Sequence, residues 1–251
     1  MKVSLIIPVY NEESHLVQFL KSIDELILDI PKQLVIIDDC SRDNSLAIIK
    51  EFQFKSEVKI LEQQVNQGKG AAIARGILEA SGDFIGIQDA DFEYDNSEIP
   101  LLLSPLVAGK ADIVYGSRFK KSAYQVHRTF HYLINRFLTL LSNFLSGVYL
   151  TDMETCYKFF KSDIIKNIHL ESKRFGFEPE VTAKIAGLKC RVMEVPISYF
   201  PRNYLEGKKI TWKDGIAALR HIIYFNLFQS KQTFYRKEMP AKYIPSGRNW
   251  L

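Results

Sequence analysis

Two carboxylates stand one residue apart where the apolar run Phe84-Ile85-Gly86-Ile87-Gln88 ends in Asp89-Ala90-Asp91. Side chains alternate along an extended backbone, so both acids are expected to point the same way while Ala90 turns into the fold. Paired acids at a strand's carboxyl end suit a hard divalent cation, Mg²⁺ or Mn²⁺, which takes one or two carboxylates and fills its shell with phosphate oxygens and water. Ligands of open α/β sheets bind at that end of the strands. A plainer role, capping the next turn, stays open, because so short a pattern recurs by chance.

The ends of neighbouring apolar runs carry matching chemistry. Pro8, Tyr10 and Glu12 follow Ile6-Ile7, and Asp38-Asp39 follows Val35-Ile36-Ile37. An aromatic face and an acid accepting from ring N–H groups suit a nucleobase; a core-edge tyrosine and a helix cap are the alternative. Gly68-Lys69-Gly70 opens a helix that also carries Arg75, and the free N–H groups and dipole of a helix start favour anions. Ala111-Asp112-Ile113-Val114-Tyr115 reads as a strand delivering Gly116-Ser117-Arg118, and an arginine there can meet a phosphate bidentately. The first strand-helix junction, Pro8-Val9-Tyr10-Asn11-Glu12-Glu13, lacks the glycine-rich loop of a dinucleotide enzyme.

These residues need a sheet to hold them. Strands are expected at 2–9, 33–37, 58–61 and 84–88, alternating with helices at 12–28, from Ser45 to Phe52 and from Gln67 to Leu78. Such alternation predicts a parallel βαβ sheet. A helix from Ser97 to Ala108 and the strand at 111–115 extend it.

Composition sets the outer limits. The chain has 251 residues, 47% hydrophobic and 25% charged, as expected of one large α/β domain. Its net charge of +4 gives no case for nucleic acid. Cys40, Cys156 and Cys190 are scattered without C-x-x-C spacing and read as reduced thiols of a cytosolic protein. The chain opens on an apolar strand, so no secretory signal is expected, and no apolar run has the length of a spanning helix.

Taken in order, Ile7-Pro8-Val9-Tyr10-Asn11-Glu12, Val35-Ile36-Ile37-Asp38-Asp39-Cys40-Ser41, Asn66-Gln67-Gly68-Lys69-Gly70 with Ala74-Arg75-Gly76, Asp89-Ala90-Asp91 and Gly116-Ser117-Arg118 resemble the family-2 glycosyltransferases of the GT-A fold. The likeness is greatest to the dolichyl-phosphate or polyprenyl-phosphate mannosyltransferase branch and covers roughly residues 1 to 225. It implies an α/β, Rossmann-like, mostly parallel central sheet flanked by helices, with amphipathic helices toward the C-terminus. A nucleotide-sugar/metal half at 1–118 and an acceptor half at 119–229 would form one domain, followed by a basic, aromatic tail at 230–251. Pro8, Tyr10, Glu12, Ile37, Asp39, Lys69, Asp89, Ala90, Asp91, Arg118, Arg202 and Lys208 would hold the donor, with Asp39 on the base. Asp89 and Asp91 would bind the metal. Glu93 stands where the branch commonly has a glutamine that also contacts it. Arg118, Arg128 and Asp152 would bind the acceptor; Asp152 falls in Thr151-Asp152-Met153-Glu154-Thr155-Cys156-Tyr157-Lys158, where Cys156 replaces a frequent glycine. Asp89, Asp91, Arg118 and Asp152 are the expected catalytic set.

Residues 127–148 carry Phe130, Leu133, Ile134, Phe137, Leu141, Phe144, Leu145 and Val148 on one stripe and His131, Asn135, Arg136, Thr139, Ser142 and Asn143 opposite. Such a stripe either packs on its own sheet or touches a membrane or acyl chain. Arg174-Phe175-Gly176-Phe177-Glu178-Pro179-Glu180 leads into a helix, and 191–197 reads as a strand. The loop Tyr199–Lys209 resembles the basic loop that closes over donor phosphates, with Arg202, Lys208 and Lys209 as its charges. From Trp212 a second amphipathic helix follows. The tail mixes Lys231, Arg236, Lys237, Lys242 and Arg248 with Phe234, Tyr235, Tyr243 and Trp250, which suits anionic headgroups unless the tail packs back or stays disordered.

The expected function is metal-dependent, inverting transfer from a nucleotide diphosphate-sugar, GDP-mannose or a UDP-hexose, to a polyprenyl phosphate by a peripheral protein at the inner face of the cytoplasmic membrane. Exposed faces of the two amphipathic helices could instead pair a homodimer. Transfer to a hydroxyl in glycoconjugate synthesis, or nucleotide-sugar binding without catalysis, are the alternatives.

Overall fold

Strands β1 (Val3–Val9) and β2 (Lys32–Asp38) are almost wholly buried, which is why their sequences run apolar on both faces instead of alternating. They lie side by side in parallel, with Val3 opposite Lys32 and Val9 opposite Asp38. In this computed structural model the structure describes residues 1–120, 129–201 and 212–246. Arg128, Arg202, Lys208, Lys209, Arg248 and Trp250, all singled out in the sequence, lie outside them.

The chain runs α1 (Glu13–Glu25), α2 (Ser45–Glu51), β3 (Glu57–Glu62), α3 (Lys69–Glu79), β4 (Phe84–Ile87), α4 (Ile99–Val107), β5 (Ile113–Ser117), α5 (Thr129–Ser146), β6 (Lys158–Lys161), α6 (Ser162–Ile165), α7 (Phe177–Ile185), β7 (Val192–Pro196) and α8 (Trp212–Ile223). Seven strands form one sheet in the order β3-β2-β1-β4-β6-β5-β7. Only β6 runs antiparallel, between β4 and β5. The chain steps outward from β1 to β3, then returns to place β4 on the other side of β1. That reversal makes the carboxyl ends of β1 and β4 a topological switch point, where a crevice opens in an α/β sheet. Tyr10 and Asp89 sit there.

Helix α3 packs on β1 and β2 through Gly76, whose missing side chain leaves room for Ile6 and Ile37; a methyl there would lie 2.6 Å from Ile6 and 2.7 Å from Ile37. Ile37, expected to contact the nucleotide, is thereby wholly buried as core.

Helix α5 divides its apolar residues: Leu138, Ile134, Leu141 and Leu145 pack on the core beside the buried Thr139 (2% exposed) and Ser142, whereas Leu133, Phe137, Leu140 and Phe144 (82% exposed) face out. The described part of the tail packs against the domain, with Phe234 and Tyr243 buried and Tyr235 bridged to Ile168, so those rings cannot reach a membrane interface.

Candidate active site

Four of the parallel strands deliver site residues to the same edge of the sheet. Tyr10 follows β1, Asp39 follows β2, Asp89 and Asp91 follow β4, and Arg118 follows β5. Three non-glycine residues hold positive φ among the described residues: Asn11 (51°), Cys40 (61°) and Phe92 (57°). Each lies just beyond one of these strands. Such geometry is costly outside glycine and persists where surrounding structure imposes it, often at functional sites.

Strand β4 stops at Ile87, so a turn, not strand alternation, orients the acidic pair. Ala90 is buried as expected. Asp89 Oδ2 accepts from Lys69 Nζ at 2.9 Å, while Asp91 Oδ1 accepts from the Glu93 amide at 3.1 Å. Lys69 Nζ also lies 3.5 Å from Cys156 Sγ and 3.4 Å from Glu178 Oε1. Burial disfavours its charge, but Asp89, then Cys156 and Glu178, more than compensate and hold its pKa well above the usual lysine value. Burial and the Asp89 charge keep Cys156 a thiol.

The anion site expected at the start of α3 does not form from its backbone. The Gly70 and Ala71 amides donate to the carbonyls of Arg174 (3.1 Å) and Lys173 (3.1 Å), and Arg75 donates to the Glu62 carbonyl. Asp39 holds the turn before the helix: Oδ1 accepts from Gln63 Nε2 (2.7 Å) and the Gln67 amide (2.8 Å), and Oδ2 from the Gly68 amide (2.7 Å). Asp39 is thus linked through Gly68 and Lys69 to Asp89, which joins the base-reading and metal-binding ends of the expected site. Pro8 lies within β1, and the Glu12 amide donates to Ser45 Oγ at 2.9 Å.

Arg118 and Asp152 form the other half. Asp152 is fully buried; its Oδ2 accepts from Arg118 Nε at 2.7 Å and from the Arg118 amide at 3.0 Å, and its Oδ1 from Nη2 at 2.8 Å. The guanidinium lies 5.0 Å from the centre of the Tyr199 ring. The Asp152 loop is held from three sides. Glu194 of β7 accepts from the Thr151 and Asp152 amides, Lys158 Nζ donates to the Met153 and Thr155 carbonyls, and α5 supplies Thr139 Oγ1 to the Met153 amide.

Four residues not expected from the sequence belong to this cluster. Tyr94 OH accepts from the Cys156 amide at 3.0 Å, and its ring stacks on Tyr157. Tyr199 OH donates to Glu93 Oε2 at 2.8 Å. Glu178, at the start of α7, shares Lys69 with Asp89. Glu154 has a buried Oε1 with no hydrogen-bond partner; burial, then the Glu178 charge, push its pKa up to about 7. No signal in the sequence marks these contacts, because the partners are up to 109 residues apart.

No group of three His, Cys, Asp or Glu side chains converges among the described residues, and one oxygen of Glu93 accepts from Tyr199. Two hard carboxylates remain, a donor set that suits a divalent ion sharing its shell with phosphate and water. Lys69 Nζ holds Asp89 Oδ2 at 2.9 Å, so an ion taking that oxygen would have to displace the ammonium.

The sheet order, the switch-point crevice and the acidic pair together define a GT-A glycosyltransferase fold. The model of glycosyl transferase family 2 matches residues 4–168, and the chain belongs to that family. It is 29% identical over 225 residues to a dolichol-phosphate mannosyltransferase of Pyrococcus furiosus, covering 88% of this chain but 63% of that protein. It is 30% identical over 248 residues to the dolichyl-phosphate beta-glucosyltransferase ALG5D of Trichomonas vaginalis, covering 90% of this chain and 74% of that one. Among solved structures, glucosyl-3-phosphoglycerate synthase from Mycobacterium tuberculosis in complex with Mn²⁺, UDP and glucosyl-3-phosphoglycerate superposes with a TM-score of 0.65 at 17% identity, over 90% of this chain and 80% of that one.

Proposed function

We propose that this glycosyltransferase moves a sugar from a nucleotide diphosphate-sugar, GDP-mannose or a UDP-hexose, to a polyprenyl phosphate such as dolichyl or undecaprenyl phosphate, with inversion at the anomeric carbon. The observation that carries the reading is the Arg118–Asp152 pair, buried beside the Asp89–Lys69 cluster at one sheet edge. A phosphomonoester, with its second pKa near ~6, is already a nucleophilic anion at neutral pH. Its oxygen forms the new bond to the anomeric carbon as the bond to the donor diphosphate breaks, and the electron pair leaves with the diphosphate. No proton has to be removed from the acceptor.

The chain's groups fit those needs. Both Asp152 oxygens are committed to Arg118, so Asp152 is a positioning residue that aims the guanidinium at the acceptor phosphate. Lys69 and Arg118 place positive charge where negative charge grows on the leaving group. Asp89 and Asp91 would hold Mg²⁺ or Mn²⁺, which when bound neutralises the diphosphate. Tyr10 and Asp39 would take the nucleobase. Support for the acceptor comes from the two relatives named for dolichol or dolichyl phosphate, and for the metal from the mycobacterial complex with Mn²⁺ and UDP. No described helix is long and apolar enough to cross a membrane, and the protein would act as a peripheral one on the cytoplasmic leaflet.

A hydroxyl acceptor is the second reading, favoured by one observation: Glu154, with a pKa of about 7 and an unpartnered oxygen, has the proton affinity of a general base near neutral pH. Dolichyl phosphate and dolichol share a tail and differ only in the phosphate, so they separate the two. A panel of nucleotide sugars with Mn²⁺ or Mg²⁺ is expected to give labelled glycolipid from the phosphate alone. Product from dolichol and none from its phosphate would overturn the proposal.

A further inference from the structure

The first side chain of α3 has a choice of partners. Lys69 Nζ lies 2.9 Å from Asp89 Oδ2, 3.4 Å from Glu178 Oε1 and 3.5 Å from Cys156 Sγ. The thiol is uncharged and a weak acceptor, so the ammonium chooses between two anions. One of them, Asp89, is the carboxylate that a divalent cation would need. The other, Glu178 at the start of α7, is nearly buried, and Lys69 is the only hydrogen-bond or ion-pair partner of its carboxylate among the described residues.

Neither backbone depends on the ammonium for its place. The start of α3 is tied by the Gly68 amide on Asp39 Oδ2 (2.7 Å) and by the Gly70 and Ala71 amides on the carbonyls of Arg174 and Lys173. Helix α7 is tied to β5 by a hydrogen bond between the hydroxyls of Tyr115 and Thr182 (3.0 Å). Glu180 in the same helix accepts from the Glu171 and Ser172 amides, each at 2.8 Å. With both ends anchored independently, the part free to move is the flexible four-carbon stem of Lys69.

Two carboxylates, Asp89 and Glu178, and one ammonium leave this group with one net negative charge. A cation on Asp89 would repel the ammonium, which must then turn to water or to Glu178. The second path is short: a movement of about half an ångström converts the 3.4 Å approach into an ordinary charge-assisted bond of about 2.8 Å.

We propose that Glu178 is a positioning residue that receives the Lys69 ammonium when a divalent cation takes Asp89. In the empty site Lys69 neutralises Asp89; in the loaded site Glu178 keeps that ammonium in the crevice, available to the leaving diphosphate, instead of releasing it to water. The inference rests on the metal reading of Asp89 and Asp91 above and deepens it.

The test titrates Mn²⁺ alone into the full chain and follows the paramagnetic resonance signal of the free ion, for wild type, Lys69→Met, Glu178→Gln and the double variant. Circular dichroism confirms that each is folded. Lys69→Met removes the competing cation and is expected to bind Mn²⁺ about 10-fold or more tightly than wild type. Glu178→Gln strands the displaced ammonium and is expected to bind about 10-fold or more weakly. The two changes should not add: once Lys69 is gone, Glu178→Gln should weaken binding by less than about 3-fold, the part due to its charge alone. An equal effect of Glu178→Gln in both backgrounds, or a larger one without Lys69, overturns the handover and leaves the metal site standing. Binding by Lys69→Met with none by wild type shows that the ammonium does not yield, and overturns it as well. No Mn²⁺ bound by any of the four refutes the metal reading itself. If Glu178→Gln does not fold, wild-type crystals soaked in MnCl₂ decide the matter. Nζ bonded to Glu178, with Mn²⁺ on Asp89, is the expected result; Nζ still on Asp89 or turned to solvent overturns the proposal.

Discussion

Asp152→Asn keeps the size and shape of the side chain and removes its charge, which isolates what the carboxylate does. Asp152 is fully buried and accepts three hydrogen bonds, all from Arg118. An amide keeps one acceptor oxygen and turns an NH₂ group toward an N–H donor, so at least one of the three bonds is lost and the guanidinium is left in the interior without its countercharge. Breaking one side of a buried pair costs about 3–5 kcal/mol. At about 2–4 °C per kcal/mol for a chain of this size, the melting temperature should fall by roughly 6–20 °C. Removing both charges, as Arg118→Met/Asp152→Leu, leaves no orphan ion. It should be more stable than additivity of Arg118→Met and Asp152→Leu allows, by about 2 kcal/mol or more. Below the new melting temperature, transfer to dolichyl phosphate should drop about 10–100-fold through misplacement of Arg118, with the shape of the pH–rate profile unchanged because no proton passes through Asp152. Unaltered melting of Asp152→Asn would refute the buried-pair reasoning. Loss of one limb of the pH profile would show that Asp152 moves a proton after all.

Three further changes probe other parts of the site. Asp89→Asn should lower metal-dependent donor turnover about 100-fold or more, read as nucleotide diphosphate released with Mn²⁺. Glu154 binds its proton more tightly when folded, with a pKa of about 7 against an ordinary 4.5. Its contribution to stability is therefore complete below pH 4.5 and lost as pH rises to about 7, an effect of at most about 3 kcal/mol. Denaturant titrations from pH 4.5 to 8 should show this slope in wild type and a flatter one in Glu154→Gln. Cys40 holds a φ of 61°, so Cys40→Gly should relieve backbone strain and raise stability by about 0.5–1 kcal/mol in the same titrations, net of the extra chain entropy of glycine.

The first half of the fold was legible because β1, β2 and β4 are buried on both faces and read as apolar runs, each followed by a polar residue that the site uses. Tyr10, Asp39, Asp89 and Arg118 stand at strand ends for that reason. Strand β6 was not legible: it has four residues, two of them lysines, and pairs antiparallel between strands far away in sequence. Which side of α5 faces the core was left open by periodicity alone. Thr139 and Asn143 face inward because the Asp152 loop has backbone groups to satisfy, a demand invisible to periodicity. Helix α3 looked like an anion site because its start is flanked by glycines, yet those glycines admit the backbone of Lys173 and Arg174; a methyl on Gly70 would lie 2.3 Å from the Ser172 carbonyl oxygen. Glu154 and Glu178 escaped notice since a single acid in a helix start or loop looks like surface until a buried lysine is seen beside it.

Phosphorus NMR of the reaction mixture follows the bond in question directly. With an α-linked nucleotide sugar, a divalent ion and dolichyl phosphate in detergent, the monoester resonance of the lipid should give way to that of a β-linked sugar phosphodiester as nucleotide diphosphate accumulates. Accumulation of nucleotide diphosphate while the lipid monoester stays intact would contradict the account.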